Sequence, residues 1–239
     1  MDPEGRKYMQ KFSIGIIALL FVAVCIYGIF YMLTPPPKKL SEVNNITLNQ
    51  APHFGLWMLN SSGQESNWLS QKYKGKEMRE PINIILIDEV SSSPEEAKKR
   101  LSDNCLLAGY DSRTGHSAGY KSLIGNVIYT QIPEESNHAF SNTFYIFPNN
   151  HGRIFGPHYH EGKYYFTGAL SRETIDLFAT VKHAYSSFKI ARDDFAMSLN
   201  QYSGYKIMGK IDLKNLFSSE DALTTGDHDG FAIVLVINK

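Results

Sequence analysis

Two cysteines in 239 residues leave almost no scope for disulfides. Cys25 falls inside an apolar run and Cys105 inside an expected helix, so the two cannot pair in a folded monomer. A domain without an internal disulfide, if exported, favours a bacterial envelope over a eukaryotic cell surface. Net charge is missing as well: Lys plus Arg and Asp plus Glu number 24 each. No basic stripe is interleaved with aromatics. This excludes a nucleic-acid partner and broad electrostatic attachment to anionic lipid. Also missing are a Walker loop, a G-x-G-x-x-G turn after a strand, a G-x-S-x-G elbow and an H-E-x-x-H helix. Phosphate-loop, dinucleotide, α/β-hydrolase and zincin chemistries lose their usual signatures with them. No cofactor is expected.

What the chain does have is one long stretch without charge. Residues 12–33 read FSIGIIALLFVAVCIYGIFYML. At about 1.5 Å per residue, 22 residues reach roughly 33 Å, enough to cross a hydrocarbon core of about 30 Å. Arg6, Lys7 and Lys11 precede the run, while Lys38 and Lys39 follow it. The small excess of positive charge on the N-terminal side predicts a cytoplasmic N-terminus and an exported remainder. No small-x-small pair follows the run, so an uncleaved anchor is expected rather than a signal peptide. Pro35-Pro36-Pro37 then ends the helix and predicts a stiff spacer. The expected organisation is a cytoplasmic tail at 1–11, an anchor in the bilayer at 12–33, a loosely packed linker and lead-in at 34–80, and an extracytoplasmic domain at 81–239.

Within that domain the apolar run at 82–87 predicts a strand buried on both faces. Ser93-Pro94-Glu95-Glu96 combines an N-cap serine, a proline at the first helical position and a glutamate three residues past the cap. The helix it starts should bury Ala97, Leu101 and Cys105, and Gly109 is placed to end it. Further strands are expected at 121–130, 143–147, 163–169, 205–213 and 231–237. A second helix is expected from about 186–188 to 199, with Ala191, Phe195 and Leu199 inward and Arg192, Asp193 and Asp194 outward. The pattern predicts an α+β fold: a mixed or antiparallel sheet with two helices on one face, preceded by one transmembrane helix.

Three segments together resemble a known family. They are Pro81-Ile82-Asn83-Ile84-Ile85-Leu86-Ile87 with the helix ending Leu107-Ala108-Gly109-Tyr110, then Tyr165-Phe166-Thr167-Gly168-Ala169-Leu170-Ser171-Arg172-Glu173, then His183-Ala184-Tyr185-Ser186-Ser187-Phe188 running into Ala191-Arg192-Asp193-Asp194-Phe195. In that order they are similar to the LssY-type C-terminal domain, over roughly residues 80–200. The resemblance implies no assigned activity. It implies a setting in the envelope, near lipid, because some members carry the domain beside a membrane phosphatase. The family's histidine- and arginine-containing segment reads Asn137-His138-Ala139-Phe140 here, without the arginine.

Two constellations carry possible chemistry. On a strand His158 and His160 point to one face and could share a metal, with His183 or His138 as a third ligand. The bland alternative is a polar hairpin loop with solvated histidines. His183 with Arg192 and Asp193 could form a general base and anion clamp. The bland alternative is a solvated helix face. Gly226-Asp227-His228-Asp229-Gly230 has too few acids for a calcium loop and is expected to be a turn. A lipid-phosphatase signature is only echoed, at Arg79-Glu80-Pro81, Thr114-Gly115-His116 and Ser171-Arg172 with His183, at the wrong spacings. The expected function is a membrane-anchored envelope domain that binds another envelope protein or a lipid-derived ligand. The alternative is a hydrolase using His158, His160 and His183, with or without metal.

Overall fold

A computed structural model describes residues 3–33, 36–134, 137–175 and 183–238. The chain divides into two units, Met1–Pro36 and Pro37–Lys239. The first is a helix, α1 (Pro3–Leu33), in which Phe12–Met32 is long and apolar enough to cross a membrane.

The second unit is α+β. It runs β1 (Asn67–Tyr73), β2 (Lys76–Arg79), β3 (Ile84–Asp88), α2 (Pro94–Leu107), β4 (Asp111–Arg113), β5 (Lys121–Ile124), β6 (Val127–Ile132), β7 (Ala139–Ser141), β8 (Asn149–His160), β9 (Lys163–Ile175), β10 (His183–Ser187), α3 (Phe188–Tyr202), β11 (Lys206–Asp212), β12 (Leu223–Thr224) and β13 (Phe231–Ile237). The main sheet follows the order β11-β13-β3-β9-β8-β6-β5, with β10 added to β9 and the β4–β7 pair added to β8. The β13–β3 pairing is parallel and the other pairings of this sheet are antiparallel. A small sheet, β1-β2-β12, lies apart from it.

Strand alternation sorts the core into two faces. Ile84, Leu86, Phe166, Leu170, Ile233 and Leu235 meet Leu101 and Cys105 of α2 and Phe195 and Leu199 of α3. Both helices therefore cover one face, as the apolar periodicities predict. Ile85, Ile87, Tyr165 and Val234 point the other way, toward Phe54 and Ile124. The first helix is capped as its sequence dictates. The Glu96 amide donates to Ser93 Oγ at 3.1 Å, and the Glu96 carboxylate accepts from the Ser92 amide at 2.8 Å. Gly109 takes φ +81, and the Gly109 and Tyr110 amides donate to Leu106 and Cys105 carbonyls, closing the helix with a Schellman arrangement.

The structure corrects three readings. Residues 37–80 belong to the folded unit, and Met58, Trp68 and Met78 are buried. They read as a lead-in because scattered apolar residues cover a sheet without forming a periodic element. Residues 44–46 bond to one outer strand, β11, and 53–59 bond to the other, β5. The segment 143–147 is a turn closed by the Phe147 amide donating to the Phe144 carbonyl at 3.0 Å. The expected strand 121–130 is a hairpin, β5 and β6, folded at Gly125, whose φ of 61 suits the turn.

Candidate functional site

On the sheet face away from the helices, β8 and β9 carry polar residues at alternate positions. Asn149, His151 and Arg153 of β8 lie beside Ser171 and Glu173 of β9, with His151 opposite Ser171 and Asn149 opposite Glu173. The residues of the former lead-in, Trp68, Leu69 and Glu80, close over them together with Gly115, His116, Ser117 and Tyr120. His183, the first residue of β10, completes the lining. The result is a cavity of about 140 Å³.

Glu173 is the hub. Its carboxylate lies 2.7 Å from His183 Nδ1 and 3.3 Å from His151 Nε2. The His183 contact lies off the direction of a ring N–H, so it is a charge contact rather than an aligned hydrogen bond. Burial alone would raise the Glu173 pKa, but His151, His183 and His116 outweigh it and hold it at about 2. The same contact raises the pKa of His183 against the opposing effect of burial. Glu80 behaves oppositely. Burial pushes its carboxyl up to about 7, Glu173 adds to the rise, and Arg153 resists it.

His151 is fixed by its neighbours. Asn149 donates its amide to the Phe147 carbonyl, so Asn149 Oδ1 is the acceptor facing His151 Nδ1 at 3.0 Å. Nδ1 therefore carries the proton and Nε2 is left with its lone pair, 3.4 Å from Ser171 Oγ. This is a nucleophile–base–orienter geometry in outline. Ser171 is only 4% exposed, accepts from Trp68 Nε1 at 3.2 Å and does not line the cavity, so no substrate carbonyl reaches it. His116 stacks on His151 with ring centroids 4.6 Å apart. Burial drives the His116 pKa down to about 3, with help from His151 and Arg153, and that of His151 down to about 4.

Arg153 is the unusual group. It is 4% exposed and lies over the Tyr120 ring at 4.4 Å. One Nη2 donates to the Ser117 carbonyl at 2.8 Å and to Ser117 Oγ at 3.3 Å. Its Nε has no partner, and neither does His116 Nε2. Among the described residues no carboxylate stands within ion-pair distance of the guanidinium. A buried charge without a counter-ion is costly, and orphaned buried donors are rare in folded proteins.

The sequence-derived sites resolve differently. His158 and His160 do share a face, with ring centroids 6.2 Å apart, and His158 Nδ1 lies 2.9 Å from the Tyr129 hydroxyl. His183 cannot join them: His158 pairs with Tyr165 on β9, whereas His183 pairs with Ile175. Ten residues of strand separate those points, roughly 33 Å. His138 Nδ1 lies 3.1 Å from Ser112 Oγ, on the β4–β7 side. Among the described residues no three His, Cys, Asp or Glu side chains are arranged to hold a metal.

Arg192 and Asp193 do not join His183 either. They are buried, not solvated, because the 226–230 turn covers that side of α3. Arg192 forks onto Asp229 at 2.5 and 3.0 Å, and its Nε donates to Asp193 at 2.9 Å. These contacts saturate it. Asp194 is equally buried and accepts from Tyr110, Asn150 and the Lys38 amide. The turn itself caps α3, with Asp227 Oδ1 accepting from the Phe188 amide at 2.8 Å. Of the cavity residues, sequence reasoning found only His183 as a site candidate. The usable signal was polarity at positions i, i+2 and i+4 of β8, matched by Ser171 and Glu173 in a strand otherwise rich in apolar residues.

The perturbed histidines make stability depend on acid. His116, His151 and His228 are held well below the ordinary imidazole value, to about 3, 4 and 4. Below pH 6.5 the unfolded chain therefore binds protons that the folded chain refuses, and stability falls as pH falls toward 4. Glu173 adds to this loss below about 4.5. Glu80, with its raised pKa, works the other way between 4.5 and 7 but is one group against three. The melting temperature of the full chain in detergent is expected to drop between pH 6.5 and 4.5. A flat profile over that range would contradict these protonation states.

No family model, curated protein or solved structure matches the chain.

Proposed function

We propose that the chain is a single-pass membrane protein, anchored through residues 12–33, whose domain outside the cytoplasm binds a small anionic group in the β8–β9 cavity. The observation that carries this reading is Arg153, a buried guanidinium with an unpartnered Nε and no carboxylate in ion-pair reach among the described residues. An anion would supply the missing partner, and His116 Nε2 offers a second unpartnered contact. The cavity moves the expected partner from another envelope protein toward a ligand. The likeness to the LssY-type C-terminal domain and the envelope setting belong to this proposal, on the three segments quoted above.

The test is calorimetric titration of the full chain in zwitterionic nanodiscs with sulfate, which keeps its charge near neutrality. Saturable binding is expected at pH 6. Glu80 faces Arg153 and Glu173, with His116, His151 and His183 around the same space. Above pH 7 Glu80 ionises and repels the anion, so affinity falls as pH rises. A requirement for one proton on Glu80 gives about a fivefold loss from pH 7 to 8. Absence of sulfate binding at pH 6 in folded protein overturns the reading.

A further inference from the structure

An apolar turn borders the cavity. The turn at 143–147 carries Phe144, Tyr145 and Ile146, which are 59%, 42% and 47% exposed. Single exposed apolar side chains are ordinary, but three in succession beside a cavity lined by charged side chains are not. The turn is placed at the rim by its contacts with two lining residues. The Tyr145 ring packs so closely on Gly115 that a Cβ there would collide with it, and its centroid is 6.1 Å from that of His183. Gly115 has φ +96, a conformation glycine adopts without strain. Phe144 lies under the Arg113 guanidinium at 4.8 Å, which adds a cation to the same rim.

The cavity, about 140 Å³, has room for a carboxylate, phosphate or sulfate head.

We infer that the ligand is an amphiphile with one small anionic head, the head seated beside Arg153 and the apolar chain lying over Phe144 and Tyr145. This rests on the anion-binding reading above and adds the tail. Charge complementarity comes from Arg153 within and Arg113 at the rim. Glu173 is balanced by His183 at 2.7 Å, so it does not cancel the guanidinium. The same head chemistry could reach the site on a membrane lipid or as a free ion, and chain length tells these apart.

The experiment titrates methyl, butyl and octyl sulfate, each below its critical micelle concentration, into the full chain in zwitterionic nanodiscs. It is repeated with Phe144→Ser, a change at an exposed position. Affinity is expected to rise at least about tenfold from methyl to octyl sulfate, since each buried methylene strengthens binding several-fold. Phe144→Ser should remove most of that gain. Equal affinity for the three alkyl sulfates overturns the inference and leaves the anion site standing. A gain that persists in both Phe144→Ser and Phe144→Ser/Tyr145→Ser also overturns it, because the chain is then partitioning into the nanodisc. Failure of sulfate and of every alkyl sulfate to bind overturns both readings.

Discussion

Arg153→Met is expected to weaken sulfate binding by about 10- to 100-fold while leaving the fold intact. Charge-assisted hydrogen bonds contribute about 1.5–3 kcal/mol each, and each 1.4 kcal/mol is a factor of ten in affinity. The loss should therefore be large even if one such bond is removed. The fold should survive because methionine keeps much of the volume and removes an uncompensated buried charge. The groups left behind at Ser117 are solvent-exposed, so water can replace the guanidinium there. A second readout guards against a purely structural effect. Arg153 lowers the Glu80 pKa, so its removal should move the Glu80 titration upward, visible by carbon NMR of the carboxyl. Wild-type sulfate affinity in a folded Arg153→Met chain would exclude the guanidinium as the anchor.

The second large effect is on stability. Asp194→Ala should cost about 3–5 kcal/mol, because it strands two fully buried donors, Tyr110 and Asn150, at about 1–3 kcal/mol each. Asp194 is 3% exposed. Its Oδ2 accepts from Tyr110 Oη at 2.6 Å, from Asn150 Nδ2 at 2.6 Å and from Asn142 Nδ2 at 3.4 Å, and its Oδ1 accepts from the Lys38 amide at 2.7 Å. Alanine would strand Tyr110 and Asn150, both fully buried, without an acceptor. For a domain of this size the melting temperature should fall by roughly 10 °C or more, at about 2–4 °C per kcal/mol. Circular dichroism melts of the full chain in detergent would measure it. A shift below about 3 °C would mean that the cluster contributes little to the fold.

The apolar elements could be read from the sequence and the polar ones could not. Strands β3 and β13 announce themselves by near-continuous β-branched runs, and α2 by its cap. Both helices were placed on the right face by their apolar spacing. Strand β8 was invisible because its inward positions are Asn149, His151 and Arg153, and because Gly156 and Pro157 imitate a break. Those residues are polar since they build a cavity instead of a core. The outward reading of Arg192, Asp193 and Asp194 failed for a related reason. Helical periodicity tells which side meets the sheet, but it does not tell that a distant turn and Lys38 cover the opposite side.

The path of residues 44–59 has a further consequence. By bonding to β11 at one end and β5 at the other, this segment occupies backbone groups on both outermost strands of the main sheet. Open strand borders recruit other chains. A fragment begun at residue 81, where the apolar pattern first becomes strong, would bare both borders at once and polymerise edge to edge, whereas one begun at 37 would stay dispersed.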